Sequence, residues 1–248
     1  MSWWRTYFDD VFYELHEDLF PEEESRREVS AMLELLGLPV GSRILDVPCG
    51  WGRHTMLFPA TGHEAFGADL SYDLLRRAAT ASREEGRPVR YAASDVRALP
   101  FRDASFDAVV NVFTSLGLFL EDEEDVRALA EARRVLRPGG HFLLESMHRD
   151  DVVCAYGARD RWTLPNGIEV RVRRRFDAVT GISHERLRWR KGERQGEKRH
   201  ALRLRTATEI HGLLTAAGFD EVRYYGDWTG EPFTHESPRV IAVARRGE

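Results

Sequence analysis

Apolar side chains recur every three or four positions over residues 3–15, where Trp3, Trp4, Tyr7, Phe8, Val11, Phe12 and Leu15 share one face and the acids fall on the other. That period predicts one amphipathic helix with an aromatic face. A second helix, over about residues 25–36, buries Val29, Met32, Leu33 and Leu36 and stops at Gly37, where the chain can turn left-handed. Strand and helix periods then alternate. Strands are predicted over residues 43–47, 64–69, 89–92, 106–112 and 141–145, with helices from about Gly52, over 72–85 behind the cap Ser71, and over 123–136. Such alternation predicts a mostly parallel sheet with helices on both faces.

The rhythm changes at residue 151. Up to residue 205 no helical period stands out, and "EVRVRRRFD", "ISHERLRWR" and "HALRLRT" alternate polar and apolar positions between turn sequences, as an antiparallel meander does. The helical period returns in "TATEIHGLLTAAGF", with Thr206 and Glu209 at capping-box spacing and Gly218 as the stop. Strands near 221–225 and 239–244 complete the pattern. The expected organisation is one compact unit: an N-terminal helical lid over residues 1–40, an α/β core over 41–150 and 206–248, and an inserted antiparallel β cap over 151–205.

Composition narrows the class. With 42% hydrophobic and 31% charged residues among 248, the chain reads as an ordinary globular protein, and no apolar run approaches the ~18 residues of a membrane span. The start "MSWWRTYFDD" has neither the basic opening nor the apolar core of a secretory leader, which makes the cytoplasm the expected compartment. Two cysteines, Cys49 and Cys154, make no disulfide framework and stand at no metal-ligand spacing, so no metal is expected. The net charge of -5 argues against generic polyanion binding by the whole chain, yet residues 171–205 hold thirteen Lys and Arg against four acids.

The candidate chemistry starts at "ILDVPCGWGRHT", where an apolar run is followed by Gly50 and Gly52 and then a polar stretch. A strand followed by a glycine turn presents backbone N–H groups to a ligand. With "LDVPCGWG", "FGADLS", "ASDVRALPF" and "EARRVLRPGGHFLLE" in this order and spacing, the sequence resembles the class I S-adenosylmethionine-dependent methyltransferases, in a bacterial small-molecule branch that "WWRTYFDDVFYELHEDLF" and the C-terminal "AAGFDEVRYYGDWTGEPFTHESPRVIAVAR" also resemble. The resemblance implies a doubly wound, seven-stranded, mostly parallel Rossmann-like sheet and S-adenosylmethionine as cofactor. It implies that Gly50 and Gly52 let the backbone approach the methionine part, and that Asp46 orients the glycine loop. Asp69, followed by Leu70, accepts the ribose hydroxyls; Asp95 and the Val96 backbone read the adenine; Asn111 meets the amino group. Pro48 departs from the family's usual glycine, which removes an N–H donor and any left-handed conformation there. The rival dinucleotide fingerprint lacks its third glycine, since Thr55 stands in that place, and it leaves Asp95 and "RPGG" unexplained.

Ligands of open α/β sheets sit at the carboxyl ends of the strands, so the acceptor side is expected at "FTSLG" from Phe113 and "SMHRD" from Ser146. His148 is the expected base or substrate contact, ahead of His16, His54 and His200. The expected acceptor is a small molecule with a nitrogen or oxygen nucleophile. The Asn-Pro-Pro-aromatic sequence of adenine-N6 methyltransferases is not present, which argues against nucleic acid. Two alternatives stand beside this reading: an RNA-directed methyltransferase, favoured by the basic meander, and a non-catalytic protein that binds the cofactor.

Overall fold

The computed structural model describes residues 2–113 and 115–248. Its centre is a seven-stranded main sheet ordered β10-β11-β5-β4-β1-β2-β3, from β1 (Arg43–Asp46), β2 (Glu64–Asp69), β3 (Val89–Ala93), β4 (Phe106–Asn111), β5 (Leu136–Met147), β10 (Val222–Tyr225) and β11 (Arg239–Arg245). All pairs are parallel except those that β11 makes with β5 and β10. The sheet is the expected doubly wound α/β fold, and the chain reverses its direction of travel across the sheet between β1 and β4. The loops leaving those two strands part there and open a crevice.

Alternation along β1 shows how the two layers form. Ile44 faces α3 (Glu22–Leu36) with Val29, Met32 and Leu36, while Leu45 faces α5 (Asp122–Val135) and α7 (Ala207–Ala216) with Leu129, Ile210 and Leu214. Each buried residue of this kind contributes about 1.5–3 kcal/mol by leaving water. A fourth helix against this core, α4 (Tyr72–Glu84), has the expected cap: the Ser71 hydroxyl accepts the Leu74 N–H. The capping box at Thr206 and Glu209 also forms.

A second, small sheet in the order β6-β7-β8-β9 consists of β6 (Arg159–Thr163), β7 (Glu169–Asp177), β8 (Ile182–Lys191) and β9 (Arg194–Arg203), all antiparallel. Its inner face packs Val170, Val172 and Leu187 against Leu15 of the N-terminal segment.

Three elements differ from the sequence expectation. The single N-terminal helix is two, α1 (Trp4–Tyr7) and α2 (Asp10–His16), because Asp9 is extended and its carboxylate caps α2 by accepting the Phe12 N–H. Asp is among the best N-caps, and "FDD" carried that signal. No α-helix follows Gly52; turns lead instead into a 3-10 turn at Phe58–Thr61. Pro59 lacks the N–H that a continuing helix needs and disfavours helical backbone at the residue before it. Finally, α6 (Arg149–Cys154) occupies the start of the stretch expected to hold no helix.

Candidate active site

The crevice at the reversal point is a cavity of about 580 Å³. Its floor is the turn after β1. Asp46, almost wholly buried, accepts the Thr55 hydroxyl at Oδ2 (2.5 Å), whereas its Oδ1 has no partner among the described residues. Burial pushes this carboxyl up to about 7, even though Thr55 and the nearby Arg53 guanidinium pull it down. Gly50 (φ 55°) and Gly52 (φ 79°) are both left-handed. The Gly50 N–H donates to Asp69 Oδ2 at 2.8 Å, and Asp69 Oδ1 accepts the Ser71 N–H at 2.7 Å. Asp69 sits at the end of β2 and lines the cavity with Leu70 and Pro48, which follows a cis peptide.

Gly52 has a different reason from the expected one. It is not among the residues that line the cavity, and a Cβ there would stand 2.8 Å from the Tyr91 hydroxyl and 3.1 Å from Ala78 Cβ. Its glycine keeps the turn close to α4 and β3.

At the side wall, Asp95 and Val96 line the cavity with Leu99. Arg97 chelates the Asp95 carboxylate through Nε (2.9 Å) and Nη2 (2.6 Å) and holds it below the usual carboxylate range. The same guanidinium lies over the rings of Trp4 and Phe119, at 5.0 and 4.5 Å. Arg97 therefore fixes Asp95, and sequence reasoning missed it. Asn111 donates to the Val47 carbonyl at 2.9 Å and accepts the Ser115 hydroxyl, so its amide joins the ends of β1 and β4.

The roof is aromatic. Trp3, Trp4, Tyr7, Phe8 and Phe12 line the cavity; the rings of Trp3, Tyr7, Phe8 and Phe12 meet one another edge-on or tilted, Phe8 and Phe12 at 4.9 Å, and Trp4 meets Phe119 edge-on at 5.4 Å. Ties to the core and to the small sheet hold this roof down: the Ser71 hydroxyl donates to the Phe8 carbonyl, Arg77 pairs with Asp10, and Lys198 reaches both the Tyr7 carbonyl and Asp9.

The histidines fall opposite to expectation. His148 is buried, but it does not line the cavity; its Nδ1 meets the Ser237 carbonyl at 2.8 Å and its ring packs on Phe233. It follows β5 and points toward the segment that leads into β11 rather than into the crevice, a direction that sequence spacing did not reveal. His16, His54 and His200 line the cavity instead. The His16 ring stacks on Phe12 at 4.1 Å, and its Nδ1 lies 2.7 Å from the Phe12 carbonyl. A carbonyl only accepts, so Nδ1 carries the proton and Nε2 the lone pair. No hydrogen bond to Nε2 occurs among the described residues, and burial lowers the pKa of the imidazole, which keeps it neutral. His200 meets the Tyr7 hydroxyl at 3.1 Å, with Glu185 beyond it. His54 is tied to Glu28 at 2.6 Å. Of the expected acceptor loops, Phe113 lines the cavity with its N–H on Glu145, and Thr114 lies outside the described residues. Ser146 is absent from the lining, whereas its neighbours Glu145 and Met147 contribute. Among the described residues no cluster of metal-ligating side chains occurs, and no helix is long and apolar enough to cross a membrane.

The turn after β1, the acid ending β2, Asp95 and Asn111 all fall within residues 44–140, which match the methyltransferase domain family. Residues 44–140 are therefore similar to methyltransferase domains. A demethylmenaquinone methyltransferase from Renibacterium salmoninarum is 32% identical over 139 residues, which cover 55% of this chain and 55% of that protein. The chain spans between about a third and just over half of the length of the curated relatives it matches. Two solved structures share the fold of the methyltransferase domain together with the flanking elements. The CcbJ methyltransferase from Streptomyces caelestis has a TM-score of 0.84 at 18% identity, covering 98% of this chain and 99% of that one. CalS10, an amino pentose methyltransferase from Micromonospora echinaspora solved with S-adenosylmethionine, has a TM-score of 0.72 at 23% identity, covering 96% and 97%.

Proposed function

We propose that this protein transfers a methyl group from S-adenosylmethionine to a nitrogen or oxygen of a small molecule held under the aromatic roof. One observation carries the reading: a single cavity of about 580 Å³ joins the Gly50 turn and Asp69 to a wall built from the N-terminal helices and the small sheet. That volume suits a small-molecule site. The floor also fits the cofactor. Asp46 Oδ1 is a buried acceptor without a donor, which suits an ammonium group, and Asp69 has lone pairs left beyond the two backbone N–H groups it holds.

In this reading Asp46 takes the cofactor's amino group, in place of Asn111, whose amide is held by the Val47 carbonyl and the Ser115 hydroxyl; Asp69 takes the ribose hydroxyls, and Asp95, Val96 and Leu70 border the adenine. When bound, the cofactor supplies a methyl group on a sulfonium sulfur. The chain aligns the nucleophile, excludes water and removes a proton from it. We assign the proton to His16 Nε2, in place of His148, because that nitrogen bears the lone pair and its ring is oriented by Phe12. Residues 1–40 act as a lid, residues 151–205 as a cap that completes the acceptor wall, and 41–150 with 206–248 as the core. The relatives named for menaquinone and amino-sugar methylation are consistent with a small acceptor.

The test is turnover. S-adenosylhomocysteine release is followed with S-adenosylmethionine and a panel of small amines, phenols and carboxylic acids, with bulk RNA as the rival acceptor. Release that depends on a panel member supports the proposal; release stimulated by RNA alone supports the RNA-directed reading. With the acceptor so found, His16→Gln should lower kcat more than it raises KM and remove the acid limb of the kcat profile.

A further inference from the structure

The small sheet has two faces of opposite character. One lines the cavity. On the other, the register sets arginine directly opposite arginine: Arg159 faces Arg173, Arg173 faces Arg186, and Arg186 faces Arg199 in one row, while Arg161 faces Arg171 and Arg171 faces Arg188 in the next. Like charges in direct cross-strand pairs destabilise a sheet. A single carboxylate, Glu197, takes Arg186, Arg188 and Arg199. Arg159, Arg161, Arg171, Arg173 and Arg175 are exposed and make no ion pair with any carboxylate among the described residues. Residues 159–203 carry a net charge of +8, and the rest of the chain -13.

We propose that this arginine face docks an acidic segment of a partner protein. Alternate residues on a strand are ~7 Å apart and neighbouring strands ~5 Å apart. Carboxylates one turn apart on a helix have a similar spacing, ~5–6 Å between Cβ atoms. Arginine engages carboxylates through two parallel N–H bonds, which gives the array its selectivity for such a partner. A nucleic acid fits less well for two reasons. The positive field ends with the four strands, ~15 Å across, and a longer phosphate chain would run onto a surface of net charge -13. The aromatic residues Trp162 and Trp189 pack on the opposite face, so no ring is offered to the bases. The inference stands on the charge array alone and does not rest on methyl transfer.

Fluorescence anisotropy of the full chain with a short labelled poly-glutamate peptide tests it, with a labelled single-stranded RNA as the rival. The peptide should bind, weaken steeply as salt rises, and bind at least about tenfold more tightly than the RNA. The combined Arg171→Gln, Arg173→Gln and Arg175→Gln variant should lose at least about tenfold in peptide affinity while its Tm holds or rises, since repulsion is relieved. Glu197→Gln, which frees three more arginines, should bind the peptide more tightly. No peptide binding, equal binding by the triple variant, or tighter binding of RNA than of peptide would overturn the proposal.

Discussion

The backbone N–H of Gly50 donates to Asp69 across nineteen residues of sequence, at 2.8 Å, so the glycine turn after β1 is pinned to the end of β2. One carboxylate thereby shapes the turn and faces the cavity. Asp69→Asn, which keeps the volume but loses the charge, should weaken S-adenosylhomocysteine binding at least about tenfold, or about 1.4 kcal/mol. It should also destabilise the free protein by about 1–3 kcal/mol, because a buried N–H loses its acceptor. Calorimetric titration and denaturant unfolding read the two effects separately. Affinity within twofold of wild type would leave Asp69 a structural role only.

With Asp46 proposed to take the cofactor's amino group, cofactor binding should depend on pH. Its carboxyl is pushed up to about 7 by burial and by the charge of Asp69, against the pull of Thr55 and Arg53. An ammonium group favours the ionised form, so binding below about pH 7 must expel a proton. Affinity for S-adenosylhomocysteine should therefore climb from pH 5 to about 7 and level off above it. Titration in buffers of different ionisation heat should show proton release at pH 6, and Asp46→Asn should flatten the profile. Proton uptake at pH 6 would contradict the assignment.

The Glu28, Arg53 and His54 cluster locks α3 to the glycine turn, and it titrates on acidification. Burial pushes the Glu28 carboxyl up, but His54 and Arg53 outweigh it and hold the group at about 2, while burial lowers His54 to about 4. Both folded values lie below the ordinary 4.5 and 6.5. Each contribution is thus complete above the ordinary value and lost as pH falls, from 6.5 toward 4 for His54 and from 4.5 toward 2 for Glu28. Urea unfolding across pH 7 to 3 should show stability falling through both windows. His54→Gln should flatten the upper window and shrink the lower one, since His54 helps hold Glu28 down, and a wild-type stability that is level between pH 6.5 and 4 would refute the claim.

The aromatic roof gives a dynamic expectation. It is held by a few polar ties and ring contacts rather than by the sheet core, and lids of this kind open on microsecond to millisecond timescales. Hydrogen exchange over residues 3–20 should slow markedly on S-adenosylhomocysteine binding. Unchanged exchange, with full activity after residues 1–20 are removed, would show that the segment is no lid.

What the sequence revealed and what it hid follow from range. The sheet was legible because apolar alternation and turn chemistry are local: Ser71, Thr206 and Gly37 each mark a boundary within one turn. The ends of β1, β2 and β4 followed once the strand order was inferred. Arg97 on Asp95 was within reach, two residues away, as a side chain able to chelate its neighbour. The direction of His148 was not, since it depends on Ser237 and Phe233, which lie far along the chain. His16 was similarly hidden, because one helix period looks continuous across Phe8 and Asp9 until the cap is recognised. The break turns α2 so that His16 closes the cavity over Phe12.

The proposed function requires that the Gly50 turn and Asp69 hold an S-adenosylmethionine-type cofactor. Isothermal titration of the purified full chain with S-adenosylhomocysteine, alongside NADH, tests it most directly. Saturable one-to-one binding of S-adenosylhomocysteine is expected, with stabilisation of about 2.7 kcal/mol at a hundredfold excess over Kd and no heat from NADH. Binding of NADH with none of S-adenosylhomocysteine, or binding of neither, would contradict the account.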